Sequence, residues 1–183
     1  MSKKSNFFDK VRVLFTKQIV YLPKEIDYLD EPYLIREVKY TDIRHLIAIE
    51  KEVYEGEVPW GKTAFLSELN GPQAVLYLLV EYDQEVVAFI GTRFDDEDGH
   101  ITNIAVSKEF QGRGLATTLL TEVKEASMKS GYESLSLEVR VSNMDAQRLY
   151  RRFGFVSRSV KKRYYHSNNE DALDMFYRFE ESE

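Results

Sequence analysis

Residues 111–116 read QGRGLA, and the segment that follows places Leu115, Leu119, Val123 and Ala126 on one face of a helix. The first turn of a helix has unpaired N–H groups and the positive end of the backbone dipole. Glycines at 112 and 114 remove side chains that would keep a phosphate from that backbone. The chemistry this stretch could do is therefore pyrophosphate binding. Two rival anion sites fit less well. A P-loop needs GxxxxGK followed by Ser or Thr, and the lysine is absent. A dinucleotide turn is closer, because GRGLAT begins like GxGxxG and Glu138 ends the next strand. Its third glycine is missing, however, and SKEFQ separates the preceding strand from the turn. A flexible loop ahead of an ordinary helix also remains open.

Two further side chains could move protons. Glu138 lies on the polar side of the alternating run SLSLEV, opposite Leu135, Leu137 and Val139. By that pattern alone an exposed surface carboxylate is the favoured reading. Tyr150 lies on the apolar stripe of a helix with Ala146, Leu149 and Phe153. It could be plain core, although a buried phenol still needs a partner for its O–H. Ser142 or Asn143 is placed to cap that helix. His45, His100 and His166 have no metal-ligand spacing, and the acidic run Asp95–Asp98 lacks the spaced ligands of a calcium loop, so it reads as a solvated turn.

The elements that must position these residues are legible in outline. Pro32 precedes YLIREV, a first strand. Thr41 or Asp42 then caps a helix bearing Ile43, Leu46, Ile47 and Val53, which Pro59 ends, and a short helix follows over about 62–69. AVLYLLVEY and EVVAFIGTRF read as a hairpin turning at Asp83-Gln84, and HITNIAV as the next strand. Gly131 and Gly154 end the two later helices, and EDALDMFYRF is a last strand. The order is β-αα-βββ-α-β-α-β-β, a mixed α/β fold with an antiparallel front half. Residues 1–32 read as an extension to a domain over 33–183. Phe7, Val11 and Leu14 give the extension one helical face, to pack on its own domain or on a partner subunit.

Composition sets bounds on partners. A chain of 183 residues suits one domain with a real core. The absence of cysteine excludes disulfides, thiolate metal sites and cysteine nucleophiles, and fits a cytoplasmic protein. A net charge of -6 argues against nucleic-acid binding through a basic surface. There is no apolar run of membrane-spanning length, and charges interrupt the opening segment where a signal peptide would be continuous.

AVSKEFQGRGLATTLL resembles motif A of the GCN5-related N-acetyltransferases, whose core Q/R-x-x-G-x-G/A is filled here by Gln111, Gly114 and Ala116. NIAV, LEVRVSNMDAQRLYRRFGF, VPW and RYY…EDALDMF together resemble, more narrowly, the bacterial ribosomal-protein alanine N-acetyltransferases. The resemblance covers about 34–179 and implies that family's mostly antiparallel sheet, splayed around acetyl-CoA. It implies pyrophosphate binding by the backbone of Gly112, Arg113, Gly114, Leu115, Ala116 and Thr117, and pairing of the pantetheine arm with Ile104, Ala105 and Val106. It further implies a cofactor contact at Asn143, Glu138 as general base and Tyr150 as general acid. Trp60, Arg163, Tyr164 and Tyr165 match places near a peptide groove. No metal is implied. The acceptor would be a protein N terminus, such as that of a ribosomal protein, and the enzyme a monomer or homodimer. A small amine or a lysine side chain as acceptor, or a module that merely binds acetyl-CoA, are the competing functions.

Overall fold

The apolar runs assemble into one sheet, described here for residues 19–28 and 30–180 of the computed structural model. Its strands are β1 (Lys24–Tyr28), β2 (Glu31–Glu37), β3 (Ala74–Tyr82), β4 (Glu85–Asp95), β5 (Asp98–Val106), β6 (Ser134–Arg140), β7 (Val156–Tyr165) and β8 (Glu170–Arg178). The spatial order is β1-β2-β3-β4-β5-β6-β8-β7. Every neighbouring pair is antiparallel except β5 with β6. Four helices, α1 (Ile43–Val53), α2 (Lys62–Leu69), α3 (Leu115–Lys129) and α4 (Met144–Phe153), connect and cover it.

The mixed α/β architecture is the expected one, with one strand more. β1 pairs with β2 from Lys24↔Ile35 to Tyr28↔Glu31, so part of the 1–32 segment belongs to the sheet. The helix expected around Phe7, Val11 and Leu14 lies outside the described residues. The hairpin at Asp83-Gln84 is present, with both residues at positive φ (49° and 65°) as a tight two-residue turn requires. The acidic turn is tighter than expected. β4 runs to Asp95 and β5 starts at Asp98, whose carboxylate accepts from Ser134 Oγ (2.7 Å) and from Ser136 Oγ. Asp98 is therefore tied into β6, whereas Asp95, Asp96 and Glu97 are exposed, as a solvated turn requires. Asp42 also differs from its expected role: it belongs to a 3-10 turn, Tyr40–Asp42, and accepts from the Lys39 amide (2.7 Å) instead of capping α1.

Two apolar clusters lie among the elements. Phe65 of α2 and Ile43, Leu46 and Ile49 of α1 pack with Tyr77, Leu79, Phe89 and Ala105. Leu115, Leu119, Leu120 and Val123 of α3 pack with Leu76, Leu78, Val80, Ala88 and Ile90. Alternate residues of β3 and β4 thus enter opposite clusters, the signature of central strands covered on both faces. Among the described residues no helix is long and apolar enough to cross a membrane.

Candidate active site

The two strands that build the site part company. The parallel pairing of β5 with β6 runs only from Asp98↔Ser134 to Ile101↔Leu137, although β5 continues to Val106 and β6 to Arg140. At the same point β5 carries a bulge: Gly91 faces Asn103 and Thr92 faces Ile101, leaving Thr102 as the extra residue. Gly91 is required there, because a Cβ would stand 2.3 Å from both Asn103 Oδ1 and the Tyr77 ring. A cavity of about 450 Å³ opens between the splayed ends. Ile104, Ala105 and Val106 line one wall, Leu137 to Arg140 the other, and Asn143 ahead of α4 with Ala146 and Tyr150 on it close one side.

Side chains satisfy the β6 side of the split. Gln147, buried on α4, donates to the carbonyls of Arg140 (3.1 Å) and Val141 (2.9 Å), and the Tyr165 hydroxyl donates to the Glu138 carbonyl (3.4 Å). Among the described residues the β5 side has one such contact, Gln111 Nε2 to the Val106 carbonyl (3.0 Å). Gln111 thereby ties the glycine turn to the end of the strand. Glu52 of α1 holds the same corner, accepting from Ser107 Oγ and the Lys108 amide, each at 2.8 Å.

The turn itself is built for close approach. Gly112 and Gly114 have φ of 74° and 80°, a region costly for other L-residues. Among the described residues no backbone carbonyl accepts from the N–H groups of Gly112 to Thr117, and the first bond of this end of α3 is Thr118 N–H to Gly114 O (3.0 Å). Gln111, Gly112 and Ala116 line the cavity. Arg113 instead contacts Glu31 and Tyr33 of β2 (3.3 Å each) and lies over Phe110, while the Leu115 side chain is buried in the core. Asn143 caps α4, accepting from the Ala146 amide (3.1 Å), and also lines the cavity.

The two proton-handling candidates differ sharply in surroundings. Tyr150 is buried and its hydroxyl has no hydrogen-bond partner among the described residues, a position that suits a group awaiting a ligand. Burial, with Tyr54 and Tyr165 nearby, pushes its ionisation well up, so it keeps its proton at working pH. Glu138 is the opposite. One oxygen meets His100 Nε2 (2.9 Å) and the other meets Lys161 Nζ. Burial pushes the Glu138 carboxyl up, but the hydrogen bonds from His100 and Lys161 prevail and hold it at about 2. His100 Nδ1 in turn contacts Ser136 Oγ (2.9 Å), which donates to Asp98. His100 had no expected role; its register position opposite Ser136 on β6 gives it one.

Of the four proposed groove residues, Trp60 and Tyr165 line the cavity, the latter under the Arg140 guanidinium (3.9 Å to the ring centre). Arg163 and Tyr164 do not line it. β7 shifts register between Lys161 and Tyr165, Arg163 sits at φ 49° with its amide on Asp171 (2.8 Å), and Tyr164 is exposed. Glu50 and Tyr54 of the first helical segment, to which sequence reasoning gave no role, line it as well. Glu50 falls four residues after Leu46 and seven after Ile43, a carboxylate on the apolar stripe, which was the available signal. Among the described residues no group of three or more His, Asp or Glu side chains could hold a metal ion.

The acetyltransferase (GNAT) family profile matches residues 40–155, which is the stretch from α1 through α4. The chain belongs to this family. Its members use acetyl-CoA, and the open β5 edge together with the free N–H groups of the glycine turn fits such a co-substrate. A Bacillus subtilis (strain 168) protein named as a candidate ribosomal protein bS18-alanine N-acetyltransferase is 37% identical over 142 residues, 78% of this chain and 93% of its own. The Escherichia coli (strain K12) ribosomal protein bS18-alanine N-acetyltransferase is 30% identical over 143 residues, covering 77% of this acetyltransferase and 94% of the relative. The crystal structure of the ribosomal-protein-S18-alanine N-acetyltransferase from Escherichia coli superposes on the GNAT fold here with a TM-score of 0.74, at 28% identity, over 82% of this chain and 96% of that one.

Proposed function

We propose that this N-acetyltransferase moves the acetyl group of acetyl-CoA to the N-terminal α-amine of a protein, with a ribosomal protein beginning in alanine as the model acceptor. One observation carries the reading: the cavity brings an unpaired phenol, Tyr150, together with the open backbone edge of β5, in a chain whose relatives carry that activity in their names. Backbone N–H groups of Gly112 to Thr117 would hold the pyrophosphate at the α3 terminus. The edge of Ile104, Ala105 and Val106 would pair with the pantetheine arm and polarise the acetyl carbonyl, as an oxyanion hole does. Tyr150 would protonate the departing thiolate. Trp60 and Tyr165 would flank the incoming peptide.

An α-amine suits such a site on chemical grounds. Its pKa of about 7.7–8.0 leaves roughly a third neutral near pH 7.4, against about 0.1% for a lysine at about 10.4. The test offers acetyl-CoA with three acceptors: a peptide with free N-terminal alanine and one internal lysine, the same peptide with its N terminus blocked, and a polyamine. Mass spectrometry is expected to place the acetyl group on the free α-amine. Efficient labelling of the blocked peptide, or faster turnover of the polyamine, overturns the acceptor class.

A separate experiment tests the glycine turn. Gly114→Ala adds a Cβ with room, the nearest atom being 3.7 Å away on Tyr28, so only the strain at φ 80° is introduced. That strain is about 1–2 kcal/mol. Where the turn relaxes to relieve it, acetyl-CoA affinity falls by about tenfold, the equivalent of roughly 1.4 kcal/mol. Calorimetry on the folded variant checks this, and unchanged affinity counts against the turn as the pyrophosphate cradle.

A further inference from the structure

We propose that Glu50, rather than Glu138, takes the proton that the acceptor amine must lose before it attacks; the assignment rests on the acetyl-transfer reading above. Glu50 lies near the end of α1, 1% exposed, and lines the cavity together with Asn103, Ile104 and Tyr150. The other fully buried carboxylates all have cations: Asp42 pairs with Arg36, Glu122 with Lys24 and Asp174 with Arg158. Glu50 has none among the described residues. One of its oxygens accepts from the Trp60 amide (2.9 Å). Asn103, whose Nδ2 has no well-formed hydrogen bond among the described residues, lies beside it.

An unpaired carboxylate is costly to bury. In an open cavity it has a use, since it can meet a cation that arrives with the substrate. Burial pushes the Glu50 carboxyl up to about 7, against the lowering effect of the Trp60 amide hydrogen bond and of the nearby Asn103 amide. A peptide ammonium near 8 is then closely matched to its acceptor. Glu138, held well below the usual carboxylate range by His100 and Lys161, is the weaker proton acceptor.

The step balances. An ammonium proton passes to a Glu50 oxygen. The freed nitrogen pair forms the C–N bond to the acetyl carbon, and the C–S bond breaks with its electrons going to sulfur. Tyr150 gives its hydroxyl proton to that sulfur, and the second proton of the nitrogen restores the phenol. Glu50 then releases its proton to solvent.

The ionisable groups facing Glu50 are Tyr54 just past the end of its own helix, Tyr77 on β3, Glu138 and Arg140 on β6, Tyr150 on α4 and Tyr165 on β7. Burial raises all four phenols, so they stay neutral through neutral pH, and Glu138 stays ionised. His100, bonded to Glu138, is the remaining group to control for.

The experiment measures kcat/KM against pH for the wild type, Glu50→Gln, Glu50→Asp, Glu138→Gln and His100→Gln, using the free-alanine peptide. Glutamine keeps an oxygen for the Trp60 amide, so acetyl-CoA affinity by calorimetry is expected to stay within about threefold. The wild-type rate should be present above pH ~7 and lost below it as Glu50 protonates. Glu50→Gln should lose that limb, run about 10²-fold slow at pH 7, and recover towards pH 9 as the amine deprotonates by itself. A peptide ending in a hydrazide nitrogen, already neutral at pH 7, should lose less than about threefold; a merely structural carboxylate would slow both acceptors alike. Glu50→Asp should run slower yet keep the limb, and carries the test if the glutamine variant folds poorly. A limb retained in Glu50→Gln, a limb that moves with Glu138→Gln or His100→Gln, or equal losses on neutral and protonated acceptors overturns the assignment. A wild type that ignores the free-alanine peptide but acetylates a lysine or a polyamine overturns the acceptor reading alone, and the same profiles taken with that amine then decide Glu50. Inactivity on all three overturns both.

Discussion

Tyr150→Phe is expected to lower kcat by about 10²–10⁴-fold, the usual reach of a positioned acid or base. The ring keeps its place in this variant, because its packing is apolar: Phe155 lies edge-on at 5.8 Å and the residue sits in the main core cluster. Only the O–H is lost, and that group has no partner within the described residues to leave orphaned. Acetyl-CoA affinity and thermal stability should therefore stay near wild type while the chemical step slows. Steady-state rates with calorimetry on the same preparation check the pairing of results. Rates within a few-fold of wild type would mean that the thiolate leaves without a proton from this residue.

Arg36→Ala is expected to cost about 3–5 kcal/mol of stability, the range for stripping one partner from a buried ion pair. Arg36 on β2 reaches both oxygens of Asp42 (2.7 and 3.1 Å), the side chain of Glu81 on β3 and the Glu37 carbonyl (3.0 Å). It thus pins the first helical layer to the sheet. Without it, buried Asp42 and half-buried Glu81 face each other uncompensated. Burial pushes Asp42 up, but Arg36 and the Lys39 amide hold it below its ordinary value. A depressed carboxylate contributes stability above its unfolded pKa and loses it as pH falls. The gap between wild type and variant should therefore be full at pH 7 and narrow below pH ~4, where Asp42 in the variant takes up a proton. Denaturant unfolding at both pH values tests it.

The glycine turn, the Asp83-Gln84 hairpin and the amphipathic face of α3 were legible because each is a local pattern. What escaped was non-local or lay at an edge. KEIDY alternates charges and sits on the sheet rim, so nothing apolar announces β1. The His100–Glu138 contact exists only because β5 and β6 pair in parallel, bringing together residues 38 positions apart in the chain. Glu50 carried a signal, a carboxylate on the apolar stripe four residues after Leu46, but its place in the cavity depends on β5 and α4 folding against α1. Tyr165 reaches the cavity while Arg163 and Tyr164 do not, because a register shift re-aims the end of β7, and no residue pattern marks that shift.

The early end of the β5–β6 ladder has a mechanical consequence. Four register pairs, Asp98–Ile101 with Ser134–Leu137, are the whole strand ladder between a five-stranded part of the sheet and a three-stranded one among the described residues. A seam so short is a weak suture. A molecule laid along the free rim of β5 and touching α4 on the far bank would lengthen it. Were acetyl-CoA to lie there, substrate and scaffold would trade roles: it would be a stitch in the fabric that each turnover unpicks. Resistance to heat should in consequence depend on how much of the enzyme is stitched at a given moment, by the ordinary mass action of a ligand that binds only the native form.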